Sequence, residues 1–401
     1  MESTSQKCTT SFNTDFCLQL AYKVLLKQLE KGLNFVSSPL SLHIILSIIA
    51  SGSSGKTLDQ LLSFLGSESI NDLNSSSSEI VSSIRNVEES IESGGPIISF
   101  VNGTWVEKSF GLKTSFEEIV KHLYKSKIEV ADFINKVVFL GSKDEVNSWV
   151  KNATKGLIRQ LVPSGSLDED TKLVLVNALY FKGSWDQKFD PSITKTKPFN
   201  LLNGQTLQVP FMTTMSREQY HHRTFETYKT LKIPYQTSPS NHNKFAMYFF
   251  LPNEKNGLPN LIHTLDSNPR YLNQEYDLWR EEIPEFWIPR FKFCSDFGGV
   301  EETMKELGLT LPFSPGEMTG VSDSPLSHRI CVSSIVHKAF IEVNEEGTEA
   351  AASAAAVMRW CCASYPKPSF VADHPFLFMI REETSMAVFF IGAVLNPLLD
   401  S

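Results

Sequence analysis

Apolar positions near the start of the chain recur at helical spacing. Between Asn13 and Gly32, the residues Phe16, Leu20, Val24 and Leu25 share one face and Gly32 suits the C-terminal cap, so an amphipathic helix is predicted. Asn34 to Ser41 (NFVSSPLS) reads as a short strand entering a helix that Pro39 starts and that stops near Gly52. Thr57 to Leu65 predicts another short helix, closed by Gly66. The serine run Ser75 to Ser83 reads as a flexible surface loop or a polar helix start. Ile97 to Val106 alternates as a strand does. Ser142 and Glu145 form a capping box ahead of a helix with Val146, Trp149, Val150 and Ala153 on one face. Lys172 to Phe181 is nearly all apolar and predicts a strand buried on both faces.

Strands dominate the rest: Thr206 to Met212, Lys229 to Tyr235, Lys244 to Leu251, Glu285 to Phe293, Val332 to Val343, Pro375 to Ile380 and Met386 to Leu395. One helix is read among them, from Gly299 to Leu307 and ended by Gly308. Helices come early and strands late, with no repeat and no linker. The pattern predicts one large α+β domain over residues 1–401, with 1–12 disordered.

One segment breaks the local rules. Glu345 to Cys362 reads EEGTEAAASAAAVMRWCC. Alanine favours helices and is poor in strands, yet this run leaves directly from the β-type stretch Val332 to Val343. Read locally it is an Ala-rich helix or a linker. Its tiny side chains would also let a backbone enter a narrow gap, and such conflicts between propensity and context mark functional or strained sites.

Composition narrows the function classes. The 401 residues are 41% hydrophobic and 20% charged, enough for a large core. A net charge of −8 argues against a nucleic-acid or anionic-membrane surface as the main business. The longest apolar run, Leu42 to Ala50, is too short to span a bilayer. The first residues contain no apolar signal region, so an intracellular place, cytosol or nucleus, is expected, with the sequons at Asn74, Asn102 and Asn152 unused. Six scattered cysteines without a Cys-x-x-Cys pair fit a reducing compartment.

Several motif fragments fail for want of context. Gly55-Lys56-Thr57 ends like a phosphate-binding loop, but a helix precedes it and Ala50 replaces the first glycine. Asp296-Phe297-Gly298 has no companion kinase motifs. The adjacent His221 and His222 point away from a common metal and read as surface histidines. No paired carboxylates suggest an acid and a base. The expectation is a protein that is not an enzyme and needs no cofactor or metal.

Taken together, Phe35 to Ser41 (FVSSPLS), Val176 to Trp185 (VNALYFKGSW), Phe211-Met212, His337 to Thr348 (HKAFIEVNEEGT), Asp373 to Phe376 (DHPF) and Phe389 to Pro397 (FFIGAVLNP) resemble the serpin family in order and spacing. FVADHPFLF and VNEEGTEAAA look most like plant members. The resemblance implies a serpin fold: a mostly antiparallel central sheet, further sheets, about eight or nine helices and an exposed reactive loop over residues 347–370. It implies a monomeric protease inhibitor that acts as a suicide substrate, with no nucleic-acid or membrane partner. A target protease cuts the loop, the loop inserts into the central sheet, and the covalent acyl-enzyme is trapped. Plant resemblance also admits the apoplast as a location.

By the same resemblance, Glu345, Gly347, Thr348, Glu349, Ala350, Ala351 and Ala352 form the hinge. Ser38, Ser41, Asn177 and His337 form a polar cluster beneath the opening strands, and Trp185 sits where the loop enters. Thr348, Ala350, Ala352, Ala354 and Ala356 make one small alternating set, suited to an interior face. Counting seventeen residues from Glu345 puts the scissile bond at Cys361-Cys362, with Trp360 in the second subsite. Counting back from Asp373 favours Arg359-Trp360 instead. The first choice suits a papain-like cysteine protease and the second a trypsin-like serine protease. The rival reading is a non-inhibitory serpin that acts as a binding or chaperone-like protein.

Overall fold

Alternating and continuous apolar runs assemble here into three sheets with helices around them. The computed structural model describes residues 13–89, 96–134, 146–154, 156, 161–162, 167–214, 218–237, 243–268, 271–272, 274–296, 299–348 and 368–399. Among these the helices are α1 (Asp15–Glu30), α2 (Pro39–Ser51), α3 (Gly55–Leu65), α4 (Ile70–Glu89), α5 (Thr114–His122), α6 (146–153), α7 (Leu258–Asp266) and α8 (Val300–Glu306). The strands are β1 (Phe35–Ser37), β2 (Ile97–Glu107), β3 (Lys127–Ala131), β4 (Leu173–Ser184), β5 (Lys195–Asn200), β6 (Thr206–Met212), β7 (Gln219–Thr224), β8 (Tyr228–Pro234) and β9 (Phe245–Pro252). They continue with β10 (Trp279–Glu282), β11 (Glu285–Pro289), β12 (Phe291–Asp296), β13 (Val332–Val343), β14 (Gly347–Thr348), β15 (Ser369–Val371), β16 (Phe376–Glu382) and β17 (Val388–Val394).

The largest sheet is antiparallel, with seven strands in the order β1-β17-β16-β9-β8-β7-β10. A four-stranded sheet runs β15-β11-β6-β5. The central six-stranded sheet runs β12-β13-β4-β2-β3, with β14 paired to β4. In it β12·β13, β4·β2 and β14·β4 are antiparallel, while β13·β4 and β2·β3 are parallel. One face of β4 and β13 packs on the helical core through Leu173, Leu175, Val332 and Ile335. The other face meets α6 through Val174, Val176 and Val336. Burial of both faces explains why β4 reads as a continuous apolar run. The helix α2 beneath it is buried on nearly every side.

Most predicted elements are present, and four readings need correction. The serine run lies inside the 20-residue helix α4. There Leu73, Ser77, Val81 and Ile84 are buried, and hydroxyls such as Ser76 Oγ donate to backbone carbonyls one turn back, so a polar run is carried by one buried stripe. The stretch Glu285 to Phe293 is two strands in two sheets: it breaks after Pro289, which has no N–H to donate, and Arg290 N donates to Pro210 O. A second late helix, α7, places Leu258, Leu261, Ile262 and Leu265 on its buried face. His222 is buried at 2% exposure rather than on the surface, with Nδ1 3.2 Å from Glu281 Oε1. Ser142 and Glu145 lie outside the described residues.

Candidate functional site at the open end of the central sheet

The parallel strands β13 and β4 are zipped from Val332↔Leu173 to Phe340↔Tyr180. Above that rung they separate. Ile341 to Val343 pair only with β12, and Phe181 and Lys182 pair only with β2. Tyr180 and Phe340, with ring centroids 6.2 Å apart, close the floor of the resulting cleft. Its mouth is filled by a turn. Asn344 and Gly347 bridge one another, and the two residues of β14 then run antiparallel to β4, Gly347 opposite Ser184 and Thr348 opposite Gly183. The chain therefore leaves β13, reverses, and begins a new strand in the gap.

Gly347 is the residue that permits this. Its φ of +145° is open to glycine and strained for other residues, and a Cβ there would lie 2.1 Å from Gly183 O. Gly347→Ala is expected to expel the two-residue strand and to destabilise the uncleaved protein by about 1–3 kcal/mol. Faster amide exchange at Thr348, with a lower urea midpoint, would report it; unchanged exchange would refute the role given to Gly347.

Below the turn sits Trp185. It is fully buried, stacked on Tyr235 at 4.6 Å, and its Nε1 donates to Asn344 O at 2.9 Å. Its backbone N donates to Glu346 O at 3.0 Å and Phe189 N to Glu345 O at 2.8 Å, so the segment Trp185–Phe189 clamps the turn. Glu345 points inward at 4% exposure. Its carboxylate accepts from Arg290 Nε at 2.6 Å and from Thr194 Oγ1, which ties the end of β13 to the β11–β12 junction. Lys188 Nζ lies 3.7 Å from Glu346, beyond hydrogen-bond reach.

A second group of polar residues lies about 26 Å down the sheet, eight residues along β4 at ~3.3 Å each. Ser38 caps α2 by accepting from Ser41 N at 3.1 Å. Ser38 N donates to His337 Nε2 at 3.1 Å. That nitrogen is therefore unprotonated, and Nδ1–H donates to Asn177 Oδ1 at 2.8 Å. Asn177 Nδ2 donates in turn to Asn102 Oδ1 at 2.7 Å. One hydrogen-bonded row thus crosses from α2 through β13 and β4 to β2. Ser38, Asn177 and His337 are brought together as the sequence suggests. Ser41 joins only through its backbone, since its buried hydroxyl bonds nothing among the described residues. Trp185 belongs to the mouth and not to this row.

Burial pulls the pKa of His337 down to about 3, and that of His43 on α2 likewise to about 3. Both are neutral when folded, so between about pH 3 and 6.5 the unfolded chain holds more protons. Stability is complete above pH 6.5 and falls as pH drops below it, by up to about 1.4 kcal/mol per pH unit for each histidine. Urea midpoints at pH 7.5 and 5.5 should show this loss. His337→Gln, which keeps an acceptor and a donor, should remove one histidine's share; an unchanged slope would contradict the assignment.

Sequence reasoning passed over Asn102, Thr194, Arg290 and Asn344. Asn102 carried a usable signal, a polar residue on the apolar strand β2. The other three act through contacts that no local pattern reveals. Glu349, Ala350, Ala351, Ala352, Arg359, Trp360, Cys361 and Cys362 lie outside the described residues, as do the rest of 349–367. The ends of that stretch are fixed: Thr348 in the central sheet, and Ser369 beside Glu285 on the four-stranded sheet.

A chain whose described course stops at Thr348 in the central sheet and resumes beside Glu285 on the four-stranded sheet, around an open cleft, sets the class of protein that the comparisons identify. The family model for Serpin (serine protease inhibitor) matches residues 11–397. Serpin-ZX of Arabidopsis thaliana is 43% identical over 380 residues, covering 94% of this chain and 95% of that protein. Serpin-Z1C of Triticum aestivum is 40% identical over 401 residues, covering 100% and 99%. The structure of Arabidopsis AtSerpin1 in its native stressed conformation superposes with a TM-score of 0.86 at 41% identity, covering 96% of this chain and 97% of that one. Uncleaved ovalbumin shares the fold at a TM-score of 0.78 and 23% identity, with 97% and 99% covered. The chain belongs to the serpin family, whose activity is protease inhibition and whose partner is a protease.

Proposed function

We propose that this serpin inhibits its protease as a suicide substrate, by inserting its cut loop into the cleft between β4 and β13. The observation that carries this reading is the seating of Gly347 and Thr348 antiparallel to β4 at the cleft mouth. A strand continuing from Thr348 would run antiparallel to both walls. It would replace one parallel ladder with two antiparallel ladders, the more stable kind per residue. The alternating small residues Ala350, Ala352, Ala354 and Ala356 suit the crowded face of such a strand. Insertion of a serpin loop as an extra sheet strand is the established general case, and it is applied here to the geometry of this chain.

In the first step the protease nucleophile attacks the carbonyl carbon of the residue before the cut. The peptide C–N bond breaks, and the new amine leaves with a proton from the protease's general acid. The loop remains as an ester or thioester on the protease until water releases it. Insertion competes with that hydrolysis. Cys361-Cys362 is the preferred cut site and Arg359-Trp360 the alternative; the targets are a papain-like cysteine protease or a serine endopeptidase respectively. The test is to mix the protein with a panel of both classes, look for a complex that survives a denaturing gel, and sequence the released peptide. A complex with at least one protease that cuts the loop is expected. Cleaved protein alone, from every protease that cuts, would replace this reading with the non-inhibitory one.

A further inference from the structure

Three basic side chains stand in one row at the edge of the seven-stranded sheet. His221 on β7 lies directly opposite Lys232 on β8 and opposite Arg280 on β10. Residues opposite one another in antiparallel ladders share a face, about 5 Å apart, where like charges oppose each other. The row lines a cleft of about 170 Å³, walled on its other side by Asp186 and Gln187.

The nearby acids do not cancel the row. Lys232 pairs with Glu383, but that carboxylate also accepts from Arg381 Nε at 3.1 Å and from Tyr248 OH at 2.9 Å. One anion is shared between two cations. Asp186 is the one acid among the described residues that line the cleft, and it is exposed. Arg280 is exposed and has no ion-pair partner among the described residues. Burial, with the fields of Lys232 and Arg280, lowers the pKa of His221 against the opposing pull of Glu383. The cleft thus gathers two charged donors and one imidazole ring.

We propose that this cleft binds a doubly charged oxyanion, a phosphate or sulfate group, held by Arg280, Lys232 and protonated His221. A phosphate or sulfate group brings about two negative charges and three or more acceptor oxygens to these donors, where a carboxylate brings one charge and two oxygens. The wall of the cleft gives the site a consequence. Asp186 N donates to Pro234 O at the end of β8, and Asp186 and Gln187 lie within the Trp185–Phe189 segment that clamps the hinge turn. An occupied cleft braces that segment against the edge of the seven-stranded sheet. The proposal is independent of the inhibitory reading.

The test titrates the full-length protein with inorganic phosphate against sodium chloride of equal ionic strength, following the His221 ring proton by NMR, assigned by its loss in His221→Gln, together with Tm. Phosphate is expected to raise the His221 titration midpoint and the Tm, and chloride to do neither. Arg280→Gln, at an exposed position, should keep the fold and weaken the phosphate response about tenfold. Phosphoserine acting in the same concentration range would assign the site to phosphate esters, and inorganic phosphate acting alone would assign it to the free ion. Equal responses of wild type and Arg280→Gln, or chloride matching phosphate, would overturn the proposal.

Discussion

Thr348→Arg is expected to turn the inhibitor into a substrate. Thr348 pairs with Gly183 at the second rung of the new strand, the deepest that β14 reaches into the cleft between β4 and β13. The next two residues would lie opposite Lys182 and Phe181, where β4 and β13 are already apart, and each one after them must part the ladder from Phe340↔Tyr180 downward. Arginine would have to carry its charge into that gap, and burying an unpaired charge costs several kcal/mol. Each 1.4 kcal/mol added to the insertion barrier slows insertion about tenfold, while hydrolysis of the acyl-enzyme, which happens on the protease, keeps its rate. The covalent complex should therefore fall to about a tenth of its wild-type yield or less, replaced by cleaved protein. Thr348→Ser should leave the yield intact. A wild-type yield from Thr348→Arg would sink the insertion account.

Cleavage within residues 349–367 should raise thermal stability. Before cleavage the stretch is anchored at both ends, by β14 in the central sheet and by the β15·β11 pair. Cutting frees one end. An inserted strand of roughly fifteen residues gains hydrogen bonds worth about 1 kcal/mol net each. In a chain of this size each kcal/mol moves Tm by about 1–2 °C, which gives a rise on the order of 20 °C. Scanning calorimetry before and after cutting measures it. No rise would mean that the cut loop stays outside the sheet. Thr348→Arg, once cleaved, should show little of the gain, which links the two measurements to one event.

The elements built from local periodicity were legible in the chain. β13 is bounded by Val332 and Val343 in both readings, and β6 by Thr206 and Met212. Each is a run whose burial pattern follows from its own residues. The failures share a cause. α4 is held by contacts such as Ser77 Oγ to Ser47 Oγ, 30 residues away, which a serine run does not announce. Glu285 to Phe293 divides because its halves pair with different sheets, a choice made by β6 and β13 and not by the stretch itself.

The sequence by itself determined the family, the α+β class and the small-residue run after Gly347, because each depends on which residues are present and in what order. Tertiary structure decided where the sheet is open and what holds it shut. Glu345 meets Arg290 and Thr194 across 55 and 151 residues, and Asn177 meets His337 across 160. Hydrogen bonds and ion pairs act over a few ångströms in space, and nothing in the spacing of residues along a chain encodes which distant partners will lie within that reach.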